Sequence, residues 1–206
     1  MLIGVDFDNT IAKYDAVFVS AAVSAGLLES GVAGTKLEVR DLLRTRNDGE
    51  TAWMRLQGRV YGAHMSEASL ANGVGDFFGR CRKLGIGLCI ISHKTKFGHF
   101  DPDRINLRDA TSAWMESKGF FEPDGYGFGR DDIFYESSRE DKVNRIAEVG
   151  CTHFIDDLEE IFLAPGFPAD TARLLYAPDV KHSLTDAFQA YNAWSEISDA
   201  LLGHIG

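Results

Sequence analysis

Short apolar runs recur along this chain and end abruptly in polar residues. Leu2-Ile3-Gly4-Val5 leads into Asp6, and Ile86-Gly87-Leu88-Cys89-Ile90-Ile91 leads into Ser92. His153-Phe154-Ile155 leads into Asp156 and Asp157. Runs of this length and purity fit buried strands. With two further runs, the pattern predicts strands at 2–7, 86–91, 132–136, 152–156 and 172–176. Helical periodicity fills the intervals, the arrangement of a three-layer, Rossmann-like α/β fold with a mostly parallel sheet.

The first interval is far longer than a crossover requires, since about a dozen residues suffice. The pattern there predicts helices at 14–29, 36–46, 50–65 and 67–83 and no convincing strand. Residues 11–84 are therefore expected to form a helical cap inserted after the first strand, with 1–10 and 85–206 as the α/β core. Gly and Pro punctuate 97–103 as a loop, a helix is expected at about 105–118, and an amphipathic helix at 184–202 closes the chain. The Gly-rich stretch 123–129 lacks the spacing of a phosphate-cradling P-loop and does not open a helix.

Composition narrows the partners. The chain has 206 residues, 45% of them hydrophobic, enough for a real core. Its net charge of -10 argues against nucleic acid and anionic membranes, which reward basic patches. No run approaches the roughly 18 apolar residues of a membrane span, and Asp6 and Asp8 break the apolar N-terminus expected of a signal peptide. Cys81, Cys89 and Cys151 form no CxxC pair, and Cys89 lies in a predicted core strand. A cytoplasmic protein, monomeric or homodimeric, is expected.

The candidate chemistry sits at the strand ends, where open α/β sheets bind ligands. Asp6 and Asp8 follow the first strand within Asp6-Phe7-Asp8-Asn9-Thr10. Buried acids are costly unless paired or metal-bound, so two together point to a divalent cation, a nucleophile or both. The alternative is a surface turn in which Asn9 or Thr10 caps a helix. Ser92 reads as a plain turn residue or as a polar group at the same strand-end site. Lys142 is a candidate site cation or a solvated helix residue, with Arg139 or Arg145 in its place. Glu159 and Glu160 fit a helix N-terminus better than a metal. His93 and His99 have neither HxxxH spacing nor Cys partners, which argues against zinc.

Taken in order, these segments resemble the haloacid dehalogenase-like (HAD) hydrolase superfamily. The Asp-x-Asp-x-Thr box is matched by Asp6, Asp8 and Thr10, the strand-end Ser or Thr by Ser92, the Lys by Lys142, and the acidic pair by Asp156 and Asp157. The resemblance implies a Mg²⁺-dependent phosphohydrolase acting on a small phosphorylated metabolite. Asp6 would be the nucleophile and Asp8 the general acid and base. Asp6, Asp157 and the backbone carbonyl of Asp8 would hold the cation, with Asp156 either a direct ligand or one step removed. Ser92 and the backbone amides just after it, at His93 and Lys94, would donate to the phosphate, and Lys142 would neutralise charge. An insertion between the first two motifs is a cap type that selects substrates. Arg55 and Arg59, four apart on one helix face, would grip a second anionic group or stand as ordinary surface charges. Two rivals are a phosphomutase or phosphotransferase, and a non-catalytic binding module with the same fold.

Overall fold

The computed structural model describes residues 1–31, 34–178 and 187–203. In chain order the elements are β1 (Leu2–Val5), β2 (Ala12–Lys13), α1 (Asp15–Ser24), α2 (Lys36–Arg44), α3 (Gly49–Tyr61), β3 (Ser69–Leu70), α4 (Val74–Lys83), β4 (Gly87–His93) and α5 (Leu107–Ser117). There follow β5 (Ile133–Glu136), α6 (Arg139–Val149), β6 (His153–Asp156), α7 (Glu159–Phe162), β7 (Ala172–Tyr176), β8 (Gln189–Tyr191) and α8 (Trp194–Leu202). Short 3-10 turns lie at Met65–Glu67 and Arg130–Asp132.

Six strands form one parallel sheet in the order β5-β4-β1-β6-β7-β8. The apolar runs read from the sequence are its central strands: Ile3, Gly4 and Val5 of β1 are all buried, as are Phe154, Ile155 and Asp156 of β6. Both faces of such strands are covered, so polar alternation is absent. Val5 pairs with Ile90 on one side and Ile155 on the other. The chain winds outward from β1 through β4 and β5, then crosses back to β6, β7 and β8. That reversal makes β1 the flank of the topological switch point, where such sheets place their ligands.

One helical layer, with Val143, Ile146, Ile161 and Phe162 from α6 and α7, packs on Cys89, Ile91, Phe154 and Leu175. A second layer is aromatic: Phe77 and Phe78 of α4 meet Trp194 of α8, with ring centroids at 5.1 and 6.1 Å. The Trp194 ring lies 5.5 Å from that of Tyr176 on β7. Gly4 is required by close approach, since a Cβ there would sit 2.7 Å from the Cys151 Sγ and 2.7 Å from the Phe154 ring.

The chain divides into two compact units. The first comprises Met1–Ala12, Leu70–Lys94 and Gly119–Gly206, and the second Lys13–Ser69 with Thr95–Lys118. The second unit is helical. Phe18 stacks on Trp53 at 5.0 Å, and Tyr14 meets Tyr61 edge-on at 5.0 Å. α2 starts with a reciprocal capping box in which Thr35 accepts from the Glu38 N–H and Glu38 accepts from the Thr35 N–H. Trp114 ties α5 down by donating to the Ala68 carbonyl at 2.9 Å.

The boundaries differ from those expected in several places. α1 stops at Ser24, not 29, because Gly26 at φ 67 closes a Schellman turn, with Leu27 N–H on the Ala22 carbonyl and Gly26 N–H on that of Val23. The helix expected at 67–83 is broken: Asn72-Gly73 turns the chain, Gly73 lies at φ 86, and α4 begins only at Val74. Two short strands, β2 and β3, pair within the stretch expected to hold none. Residues 70–84 go with the sheet unit, and 95–118 with the helical unit. A reason for the second change is the contact of Gly98 with α3, where a Cβ would lie 2.5 Å from the Gly58 Cα. At the C-terminus, Gln189–Tyr191 adds a sixth strand and α8 begins at Trp194. Positions 184–186 of the helix expected there lie outside the described residues.

Candidate active site

Three strand ends converge. Asp6 leaves β1 with its N–H still on the Ile155 carbonyl at 2.8 Å, so the sheet holds its backbone one residue beyond the strand. The chain then turns tightly: the N–H groups of Ile11 and Ala12 both reach the Phe7 carbonyl, and Asn9 donates back to the Ala12 carbonyl. Asn9 sits at φ 64, a left-handed conformation that Asn tolerates better than most residues. The turn keeps Asp6 buried and Asp8 partly exposed.

α6 supplies the cation. Ser138 caps it by accepting the Asp141 N–H at 3.0 Å, which places Lys142 one turn in, pointing at the sheet. Lys142 is 1% exposed. Its Nζ donates to the Asp6 Oδ1 at 2.5 Å and the Asp156 Oδ2 at 2.6 Å. Arg145 is held elsewhere, by Glu136 at 2.7 Å and Glu148 at 2.8 Å.

Asp156 is fully buried, with its Oδ1 taken by the Leu158 N–H at 2.9 Å and its Oδ2 by Lys142. Asp157 is half-buried and accepts longer bonds from Asn9 Nδ2 at 3.3 Å and Thr10 Oγ1 at 3.5 Å. Carboxylate oxygens of Asp6, Asp156 and Asp157 all lie within 4.8 Å of one another. Hard oxygen donors so spaced suit a divalent cation such as Mg²⁺. The Asp8 side chain stands outside that trio, its Oδ1 bonded to Lys94 Nζ at 2.9 Å.

Burial pushes the Asp6 carboxyl well above the usual carboxylate range; Lys142 opposes this, and Asp156, Asp157 and Asp8 reinforce it. Burial alone would lower the Lys142 ammonium, but Asp156 and Asp6 outweigh it and raise it. The cluster thus carries more negative charge than one lysine offsets, a further reason for it to suit a cation.

Ser92 ends its strand run fully buried, and its hydroxyl has no hydrogen-bond partner among the described residues. A buried orphan hydroxyl costs free energy, on the order of 1–3 kcal/mol, unless a ligand completes it. His93 is exposed, with Nε2 3.3 Å from the Ser137 carbonyl oxygen. Arg55 and Arg59 lie in the helical unit, on the exposed face of α3. Glu159 and Glu160 are exposed in the first turn of α7. Two contacts escaped the sequence reading, Asn9 on Asp157 and Lys94 on Asp8. Asn9 stood inside the motif yet was weighed only as a helix cap.

No protein-family model matches the sequence, and no curated protein matches it. Solved structures match along nearly its whole length. A HAD family hydrolase from Deinococcus radiodurans R1, solved with bound phosphate and sodium, is 16% identical over 98% of this chain and 95% of its own, with a TM-score of 0.59. A haloacid dehalogenase-like family protein from Streptococcus pneumoniae is 13% identical over 97% of each chain, with a TM-score of 0.63. Protein Tyrosine Kinase A from Mycobacterium tuberculosis is 15% identical over 97% of each chain, also at 0.63. The parallel sheet and flanking helices of this chain are the fold of the HAD-superfamily hydrolases.

Proposed function

We propose that this protein is a Mg²⁺-dependent phosphohydrolase that acts on a small phosphorylated metabolite through an aspartyl-phosphate on Asp6. The observation that carries the reading is the trio Asp6, Asp156 and Asp157 within 4.8 Å, with Lys142 bonded to two of them. Clustering like charges in a buried place is costly, and phosphoryl transfer is a chemistry that uses it. The bound phosphate of the Deinococcus neighbour supports the same substrate group.

Asp6, Asp157 and the backbone carbonyl of Asp8 would hold Mg²⁺. Both Asp156 oxygens already accept short bonds, which favours Asp157 as the direct ligand and Asp156 as the group that orients Lys142. Bound there, the cation offsets charge on the phosphoryl oxygens. The Asp6 oxygen forms a bond to phosphorus as the bond from phosphorus to the leaving oxygen breaks, and Asp8 gives that oxygen its proton. Asp8 then takes a proton from water, whose oxygen attacks phosphorus and frees Asp6. The Ser92 hydroxyl and the His93 amide donate to the phosphoryl oxygens; the Lys94 amide expected beside them instead donates to the Glu136 carbonyl at 2.8 Å, as the next residue of the β4–β5 pairing. Lys142 orients Asp6 and favours its charged form against the burial that opposes it.

The helical unit is proposed as the substrate-selecting cap, with Arg55 and Arg59 as anion contacts, on the ground of their exposure and one-face spacing. Arg55→Ala and Arg59→Ala are each expected to lower kcat/KM for the preferred metabolite more than about tenfold, with little loss on a small aryl phosphate; equal losses on both would contradict this. Three reduced, buried cysteines suit the cytoplasm.

A screen of phosphorylated metabolites with purified protein and Mg²⁺, read as released inorganic phosphate, tests the activity. One neighbour is named a kinase, so a phosphotransferase is the second reading. Phosphate release without an added acceptor supports hydrolysis, and loss of the monoester with the phosphoryl group recovered on an added acceptor supports transfer.

A further inference from the structure

We infer that Lys94 is a positioning residue for Asp8, not a contact to the substrate's phosphate. The inference rests on the reading of Asp8 as general acid. Lys94 is 3% exposed, a rare place for a lysine. Its backbone is fixed, because its N–H donates to the Glu136 carbonyl at 2.8 Å and so extends the pairing of β4 with β5. Its stem crosses Phe7, leaving Nζ 5.4 Å from the ring centroid and 2.9 Å from the Asp8 Oδ1. One lysine held just past the end of β4 thus engages two consecutive residues of the turn that carries the acid.

The turn needs such a brace. Asp8 is followed by Asn9 in a left-handed conformation, and its side chain is 20% exposed where that of Asp6 is 7%. A second buried lysine, Lys142, serves Asp6 and Asp156. Asp8 thus has a buried lysine of its own beside it. Holding Oδ1 sets the plane of the Asp8 carboxyl, and with it the direction in which the second oxygen delivers a proton. An acid displaced by even about 1 Å loses much of its effect.

Proton delivery matters in proportion to how poorly the leaving group departs alone. Phenyl phosphate needs the acid and dinitrophenyl phosphate does not, while both present the same phosphoryl group and nearly the same shape. The readout is the ratio of kcat/KM for the two esters, which reports steps only through the transfer to Asp6. Lys94→Met is expected to lower the phenyl-to-dinitrophenyl ratio by at least about tenfold, and Asp8→Asn to lower it at least as much. Adding Lys94→Met to Asp8→Asn should lower the ratio no further, since the lysine acts through the acid. Equal loss on both esters in Lys94→Met, or an effect that multiplies in the double variant, would overturn the inference and return Lys94 to the phosphate. Lys94→Gln carries the same expectation with less loss of polarity and serves if the methionine variant does not fold. If Asp8→Asn leaves the ratio unmoved, the acid assignment falls and takes the inference with it. If only the Lys94 variants leave it unmoved, the inference falls alone.

Discussion

Asp6→Asn is expected to lower kcat by at least about 10³-fold and, in metal-free protein, to raise the melting temperature. The first effect follows from chemistry: the amide matches the carboxylate in shape but does not attack phosphorus. The second follows from burial. Asp6 is held above the usual carboxylate range, so the folded state binds its proton more tightly than the unfolded chain does. Its contribution to stability is full below the unfolded value and is lost as pH rises through the raised folded value. Asn carries no such charge, and Lys142 keeps Asp156 at 2.6 Å as a partner. The gain at neutral pH should be about 2–4 °C and should vanish below about pH 3, where Asp6 is protonated in both states. Melting curves at neutral pH and below about pH 3 check this; a variant less stable than the parent at neutral pH would show that the Lys142 bond outweighs the burial cost.

Removal of metal carries the other large effect. Excess chelator is expected to stop phosphate release, and Mg²⁺ to restore it, because clustered carboxylates repel the dianionic substrate until a cation offsets them. Asp157→Ala should weaken Mg²⁺ binding more than about 100-fold, and Asp156→Ala by roughly 10–100-fold, the usual cost of losing a group behind the ligands. Calorimetric titration with Mg²⁺ measures both. Full activity in chelator would exclude the cation from the reaction, and the reverse order of the two variants would exchange their roles.

Much of the fold was legible because the sheet is parallel and buried. Its strands read as unbroken apolar runs, and the residues that end them, Asp6, Ser92 and Asp156, stand out by contrast. The order of the motifs carried the rest, since no local signal marks Lys142. What escaped notice depended on tertiary contact. β2 and β3 are too short for a periodic pattern and exist by pairing with each other. The assignment of 95–118 to the helical unit follows from contacts such as Gly98 on Gly58, which sequence spacing does not reveal. Lys94 entered only for its backbone amide beside the phosphate, and the pairing of its side chain with Asp8 across 86 positions left no trace in the chain.

The central claim is that phosphoryl transfer passes through Asp6. Its most direct test is rapid acid quench of the parent protein turning over a substrate found by the screen, followed by mass spectrometry of the N-terminal peptide. The account predicts a phosphoryl group on Asp6 that hydroxylamine removes, and none in Asp6→Asn. Phosphate release with no phosphorylated peptide, or with the group on another residue, would contradict it.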